Sequence, residues 1–270
     1  MDTKKRKKNK KPVKPVVKPF MRGSAVDRGT GKSALMFFGS ILLVMLANLL
    51  LSAVLVWDSL ALRILFNGVL VAAIGLLFLQ SGASKGTAAV NQGEIMLQRQ
   101  EAGREVNLED RRGCYHPLKG YIIGLLGSVP YLVCCLLLAA TAQRVMTGLG
   151  ALPSWISNLQ RREEIGGALA FYSQTTPMQL EDMMRLVVRM LIMPFVNMVG
   201  ATNADGLLTL ERLSVLPMLL PALCYGVGYQ QGVRVRTRVH TDIATGKRKR
   251  ARKAKKQQRA RTAKGPEQLN

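Results

Sequence analysis

The chain has 270 residues, of which 48% are hydrophobic, and it carries a formal net charge of +23. Most of this charge lies at the two ends, because residues 1–32 hold 12 bases and 2 acids and residues 232–270 hold 14 bases and 2 acids. A basic globular protein would spread its charge over one surface, so the separation of apolar and basic segments excludes that class. The four cysteines show no spacing typical of a disulfide framework or a zinc site.

The N-terminal segment, residues 1–32, is predicted to be a disordered basic tail. Its like charges repel one another, it has little apolar surface to bury, and Pro12, Pro15 and Pro19 oppose a helix.

A short motif at the end of this tail, Gly29-Thr30-Gly31-Lys32-Ser33, matches the end of a phosphate-binding loop. That motif requires a glycine five residues before its last glycine, where this chain has Val26, and it requires a soluble helix afterwards. We therefore interpret the segment as a hinge before a membrane span.

Two apolar segments follow, and together they predict a tight helical hairpin. Residues 33–57 contain no charge and exceed the roughly 20 residues that a helix needs to cross a membrane. Residues 60–79 form the second predicted span. The polar residues 80–119 are predicted to form a cytoplasmic loop, with residues 88–101 continuing the second helix into water.

The third predicted span, residues 120–143, has small residues at a four-residue spacing, namely Gly120, Gly124 and Ser128. This spacing lets a neighbouring helix approach closely, and Pro130 is expected to kink the span. The last predicted span, residues 213–232, contains Pro217 and Pro221 and is therefore expected to be bent.

The number of crossings follows from charge and parity. Both tails are too basic to be moved across the membrane, so both are expected on the cytoplasmic side, and the number of spans must be even. Residues 183–201 form a fifth apolar segment. If this segment is interfacial or re-entrant, the chain has four spans; if residues 165–180 also cross, it has six. We favour four, because residues 165–180 are short and polar for a span.

Two polar features within the apolar region are candidate sites. Arg185 and Arg189 share a helical stripe with Asn197, so the two guanidinium groups could bind a lipid phosphate or pair with Glu181 and Asp182. Cys114 and His116 lie close together, but a metal site or an activated nucleophile needs more partners than they provide. We interpret residues 114–116 as a turn into the membrane.

The C-terminal segment, residues 233–270, is predicted to be a second basic tail that contacts a partner. Anionic headgroups are the favoured partner, a protein partner is possible, and RNA or the ribosome is less favoured because the tail has no aromatic residue for base stacking. The predicted contact residues are Arg185, Arg189, Lys247, Arg248, Lys249, Arg250, Arg252, Lys253, Lys255 and Lys256.

These patterns predict an all-α, polytopic helical membrane protein with four to six transmembrane helices in residues 33–232 and disordered basic tails. Its expected location is the plasma membrane. We predict a non-enzymatic scaffold or accessory subunit whose polybasic tails bind anionic lipid or a cytoplasmic partner. No catalytic, cofactor-binding or metal-binding residue is predicted. The alternative is a transporter or channel component with a polar path between kinked helices.

Overall fold

The computed structural model describes residues 15–52, 57, 59–142, 180–200 and 203–263. Within these ranges every regular element is an α-helix, as predicted. The helices are, in chain order, α1 (Arg28–Ser52), α2 (Leu60–Glu101), α3 (Leu108–Gly113), α4 (Lys119–Thr141), α5 (Leu180–Leu191), α6 (Met193–Val199), α7 (Ala204–Arg212) and α8 (Val215–Ala263).

Three described helices, α1, α2 and α4, are long and apolar enough to cross a membrane. A fourth crossing is present if α7 and α8, which are bent by 48° at a short break, count as one span. By length and apolarity, the described residues therefore contain three or four candidate spans, fewer than the upper end of the prediction. Residues 165–179, on which the six-span alternative depends, lie outside the described residues.

The bend in the last span is not at the predicted position. It lies at Leu213 and Ser214, between α7 and α8, whereas Pro217 and Pro221 are both accommodated within α8. Pro217 is in the first turn of α8, where a missing N–H group leaves no helical hydrogen bond unmade. The backbone N–H of Met218 donates to the Ser214 carbonyl at 3.3 Å, so regular helical hydrogen bonding begins directly after the break.

The segment predicted to be interfacial, re-entrant or a further span contains two short helices. The 12-residue α5 and the 7-residue α6 are separated at Ile192, and Pro194 is in the first turn of α6. Each helix is shorter than the roughly 20 residues that a crossing requires.

The described residues divide into two compact units. The first unit contains residues 15–32, 78–123 and 224–263, and the second contains the described parts of 33–77 and 124–223. Each unit has its own buried contacts.

In the first unit, α2 and α8 approach so closely that their backbones touch. A Cβ atom on Gly82 or Gly86 of α2 would overlap the backbone of Tyr225 or Tyr229 in α8. On the opposite side of the contact, a Cβ atom on Gly228 would overlap the backbone of Leu79, and one on Gly232 would overlap that of Gly86. The glycines are four residues apart on each helix, which is the spacing that allows close helix crossing in membranes.

The predicted small-residue face of α4 is confirmed. In the first unit, a Cβ atom on Gly120 would overlap the side chain of Tyr229. In the second unit, Gly124 lies against the backbone of Ala222 in α8, and Ser128 is fully buried. Pro130 lies inside α4, which continues as one helix to Thr141.

The described parts of the two predicted basic tails have a defined backbone conformation. Residues 15–27 are not helical but make specific hydrogen bonds, among them Met21 N–H to the Gly93 carbonyl at 3.1 Å. The predicted C-terminal tail is helical through Ala263. Lys, Arg, Ala and Gln favour helix formation, and Val233 packs against the buried cluster of Val90, Tyr115 and Tyr229 in the first unit. Residues 1–14 and 264–270 lie outside the described residues.

Replacing Gly86 with Ala should destabilise the protein, because its new methyl group would meet the Tyr229 carbonyl oxygen. We expect a loss of about 1–3 kcal/mol, typical of overpacking in a tight interface, measured as a lower thermal unfolding midpoint in detergent. The matched control is Gly39→Ala in α1, where no atom lies within 4 Å of an added Cβ. An equal effect of the two substitutions would contradict the close contact between α2 and α8.

Candidate functional site

The first unit contains a buried carboxylate, Glu94 of α2, that binds two side chains of α8. Nε and Nη2 of Arg236 donate to Glu94 Oε2 at 3.1 and 2.8 Å, and His240 Nε2 lies 2.7 Å from Glu94 Oε1. Arg236 Nη2 also donates to Asn91 Oδ1 at 2.6 Å. Glu94 and His240 are only 6% and 8% exposed. We call these four residues the Glu94 network.

The sequence positions of the network follow from helix geometry. Asn91 and Glu94 are three residues apart on α2, and Arg236 and His240 are four residues apart on α8, so each pair lies on one face of its helix. A buried carboxylate is unfavourable unless it is paired and hydrogen-bonded. The network therefore fixes α8 to α2 beyond Gly232, where the last apolar segment ends.

The two α8 side chains also control the ionisation of the carboxylate. Burial by itself raises the pKa of Glu94, but the hydrogen bonds and charges of Arg236 and His240 together outweigh it. The pKa of Glu94 is therefore held below its ordinary value of 4.5.

An extended N-terminal segment, residues 16–24, covers this network; we call it the strap. The Val16 backbone N–H donates to Thr241 Oγ1 at 3.0 Å, and the Gly23 backbone N–H donates to the Tyr115 carbonyl at 3.0 Å. Phe20 of the strap makes an edge-to-face contact with Tyr115, whose ring stacks on that of Tyr229. Only about 10 Å³ of cavity remains between the strap and the side chains of Glu94, Arg236 and His240.

A second ion pair links Asp27, three residues after the strap, to the start of α4. Lys119 Nζ donates to Asp27 Oδ2 and to the Gly113 carbonyl at 3.0 and 3.1 Å, and the Thr30 hydroxyl donates to the Asp27 carboxylate. Burial by itself raises the pKa of Asp27, but the hydrogen bonds from Thr30 and Lys119 lower it below its ordinary value. The residues of the GTGKS motif lie in the first turns of α1 and do not form an open loop. The Asp27 carboxylate, which precedes this helix, accepts the hydrogen bond from Thr30.

A groove of about 560 Å³ lies on another side of the α2–α8 pair in the first unit. Small side chains of α2 line most of it, and Arg236 is its one charged lining residue. Since this guanidinium group already binds Glu94, the groove offers little charge to a ligand.

The structure places all the predicted C-terminal contact residues on α8. Positions 247–256 occupy about three turns of this helix, given 3.6 residues per turn. Arg250 is exposed to solvent. The basic segment is thus a continuation of a packed helix.

In the second unit, the predicted pair Arg185 and Arg189 binds a carboxylate that the sequence analysis missed. Arg185 Nε donates to Glu211 Oε2 at 3.2 Å, and Arg189 Nε donates to Glu211 Oε1 at 2.7 Å. Glu211 of α7 is 2% exposed. The predicted pairing of Arg185 with Asp182 is present at 3.8 Å, and the side chain of Glu181 lies outside the described part of the chain. Two arginines within an apolar segment indicate that an acidic partner is present, because buried charges are usually paired. The sequence does not identify which acid this is.

Polar side chains within the predicted spans also bind one another. Asn197 Nδ2 donates to Asn67 Oδ1 at 3.5 Å, and Asn67 Nδ2 donates to the Arg63 carbonyl at 2.9 Å. The bond between Asn197 and Asn67 therefore joins α6 to α2 within the second unit.

Residues 114–116 form the turn from α3 into α4. The buried Cys114 thiol donates to the Asp110 carbonyl at 3.5 Å, and His116 Nδ1 accepts from the Leu118 backbone N–H at 3.3 Å. Burial raises the pKa of Cys114, which opposes a reactive thiolate. Among the described residues, no three His, Cys, Asp or Glu side chains are grouped closely enough to hold a metal ion.

No known protein family, curated protein or solved structure matches this chain.

Replacing Glu94 with Gln should destabilise the first unit, because Arg236 and His240 lose the charged partner that they share. We expect a loss of about 1.5–3 kcal/mol at neutral pH, the usual range for hydrogen bonds to a charged group. Since the pKa of Glu94 is lowered by folding, its contribution is present above pH 4.5 and is lost as pH falls through the folded-state value. Unfolding of both proteins from pH 7 to pH 3 measures this difference.

The control is Glu101→Gln, which removes an exposed carboxylate from the same helix. If Glu94→Gln and Glu101→Gln had equal stability at pH 7, or if the Glu94→Gln deficit persisted undiminished at pH 3, the role given to the Glu94 network would be wrong.

Proposed function

We propose that this protein is a non-enzymatic membrane scaffold or accessory subunit whose basic C-terminal helix binds a polyanionic partner in the cytoplasm. The observation that carries the proposal is the continuity of α8, which joins an apolar segment to the basic residues 247–263 without a break. The Glu94 network and the strap stabilise the part of α8 between these two segments.

The proposed topology has four crossings, formed by α1, α2, α4 and the bent pair of α7 and α8. An even number of crossings places both basic ends on one side, and the charge rule assigns that side to the cytoplasm. A plasma membrane with an anionic inner leaflet is the location that we propose.

The length of α8 favours a partner away from the headgroups. Lys247 is fifteen residues past Gly232, which is about 22 Å along a helix axis at 1.5 Å per residue. Electrostatic attraction is screened over about 8 Å at physiological ionic strength. If α8 leaves the bilayer close to its normal, its basic end is beyond the reach of the headgroups around it.

The composition of the basic segment favours the same conclusion. Residues 247–264 contain eleven bases, no acid and no apolar side chain larger than alanine apart from the methyl group of Thr262. A helix that lies in a membrane interface needs an apolar face to insert. Binding by this segment therefore depends on charge, and a dense polyanion is the matching partner.

The transporter alternative has less support. Arg185 and Arg189 are paired with Glu211, and Asn67 is bonded to Asn197. These polar groups satisfy one another, which favours a role in holding the helices of the second unit together.

Neutralising four bases of α8 (Arg252, Lys253, Lys255 and Lys256, each to Gln) should weaken binding to a polyanion. With the protein in zwitterionic nanodiscs, we expect it to elute from immobilised heparin at a clearly lower salt concentration than the unaltered chain.

The matched control also removes four charges from exposed positions (Lys85, Arg99, Arg104 and Arg111, each to Gln). It should elute close to the unaltered protein, because those positions lie outside the basic segment of α8. If the two variants eluted at the same salt concentration, heparin binding would depend only on net charge, and the proposal would lose its basis.

A further inference from the structure

The groove on the α2–α8 pair is about three helical turns long. Its lining on α2 extends from Gln80 to Asn91, which is about 16 Å along the helix axis at 1.5 Å per residue. Between these two residues, the α2 lining consists only of alanine, serine and threonine, and Val235 lines the groove from α8. Another helix can approach such a surface closely, because small side chains keep the backbones near each other.

Most polar groups that line the groove are already paired within the protein. The Thr87 hydroxyl donates to the Ala83 carbonyl at 2.7 Å, and Asn91 Oδ1 accepts from Arg236 at 2.6 Å. The guanidinium group of Arg236 also binds Glu94. The part of a ligand that enters the groove therefore meets methyl groups and satisfied polar atoms, which favours an apolar surface.

Exposed apolar side chains continue this surface along both helices. Val239 is four residues after Val235 on α8, and Ile95 is four residues after Asn91 on α2, so each lies on the same face one turn further along. Val239 and Ile95 are 39% and 40% exposed, and Ile243, one more turn along α8, is 51% exposed. These side chains lie beyond the apolar segments of both helices. A contiguous apolar surface outside a membrane is typical of a site that binds another protein.

The exposed charges near this surface are mostly positive. Within residues 80–99 of α2 and 233–246 of α8, the exposed charged side chains are Lys85, Arg99, Arg234, Arg238 and Asp242. Lys85 is three residues before Ala88, and Arg238 is three residues after Val235, so both bases lie beside groove residues on their helices. Interfaces select partners of opposite charge. The groove therefore matches a ligand whose apolar face is flanked by acidic side chains.

From these observations we infer that the groove binds an acidic amphipathic α-helix of a protein partner. The apolar face of that helix lies between α2 and α8, and its acidic side chains lie near Lys85 and Arg238. Insertion of an amphipathic helix into a groove is a common mode of peptide recognition. The inference goes beyond the proposed function, because the groove lies outside the basic residues 247–263. In the proposed topology the groove and the partner are both on the cytoplasmic side.

The test uses a fluorescent peptide of about four helical turns, chemically stapled in helical form, with leucine along one face and glutamate on the others. Fluorescence anisotropy measures its binding to the full chain in zwitterionic nanodiscs, and empty nanodiscs serve as the blank. The matched control peptide has lysine in place of every glutamate. The acidic peptide should bind to the protein, and the basic peptide should not.

Two tryptophan substitutions test the position of the site. Ala88→Trp fills the groove and should weaken binding of the acidic peptide about tenfold or more, as overpacking of a fitted surface does. Ala102→Trp adds the same side chain at an exposed position after the end of α2 and should leave binding unchanged. Both alanines are exposed, so the thermal unfolding midpoint should stay the same in each variant.

Two charge variants test the complementarity. Replacing Lys85 and Arg238 with Gln should weaken binding of the acidic peptide about threefold or more, the modest effect expected of exposed ion pairs. Replacing Arg104 and Arg111 with Gln removes the same charge from exposed positions away from the groove. This control should bind the peptide like the unaltered protein.

The inference is wrong if the acidic peptide fails to bind, if the basic peptide binds equally well, or if Ala88→Trp has no greater effect than Ala102→Trp. Native mass spectrometry distinguishes two other occupants. Release of a co-purifying phospholipid by Ala88→Trp, without peptide binding, would assign the groove to a lipid. Conversion of a dimer of this chain into a monomer by the same substitution would assign it to a second copy. Either result would overturn the inference.

Discussion

The contact between the backbones of α2 and α8 is the constraint on which the rest of the first unit depends. Gly82 and Gly86 on one helix and Gly228 and Gly232 on the other leave no space for a side chain between them. Because the two backbones touch over about two turns, the register of the helices is fixed. That register places Glu94 opposite Arg236 and His240 one to two turns further along, where the three side chains form a buried network.

The network in turn explains how a strongly basic segment can be part of an ordered helix. Helices outside a membrane are marginal unless an apolar or paired face is packed, and α8 has such a face at Val233, Arg236 and His240. The strap adds Phe20 to the same surface and covers the carboxylate. These contacts hold α8 on the rest of the first unit as far as Thr241. The helix continues from there into residues 247–263, which links the fold to the proposed binding of a polyanion.

The sequence predicted the parts of this protein that depend on local composition. Uncharged apolar runs identified α1, α2 and α4, and the spacing of Gly120, Gly124 and Ser128 identified the packed face of α4. The partner of Arg185 and Arg189 could not be predicted, because Glu211 lies more than twenty residues away and reaches them only in the folded chain. The contacts of the strap and of α8 beyond Gly232 could not be predicted for the same reason. Net charge is a local property of the sequence, whereas contacts such as that of Glu94 with Arg236 join residues more than 140 positions apart.

The most direct test of this account is hydrogen exchange of the full chain in nanodiscs, followed by mass spectrometry. If α8 is one helix held on α2 beyond its apolar segment, the amides of residues 233–246 should exchange slowly, with protection comparable to that of residues 224–232. Exchange of residues 233–246 at the rate of an unstructured peptide would contradict it. In that case the Glu94 network would not hold the helix, and the basic segment would be a flexible tail after all.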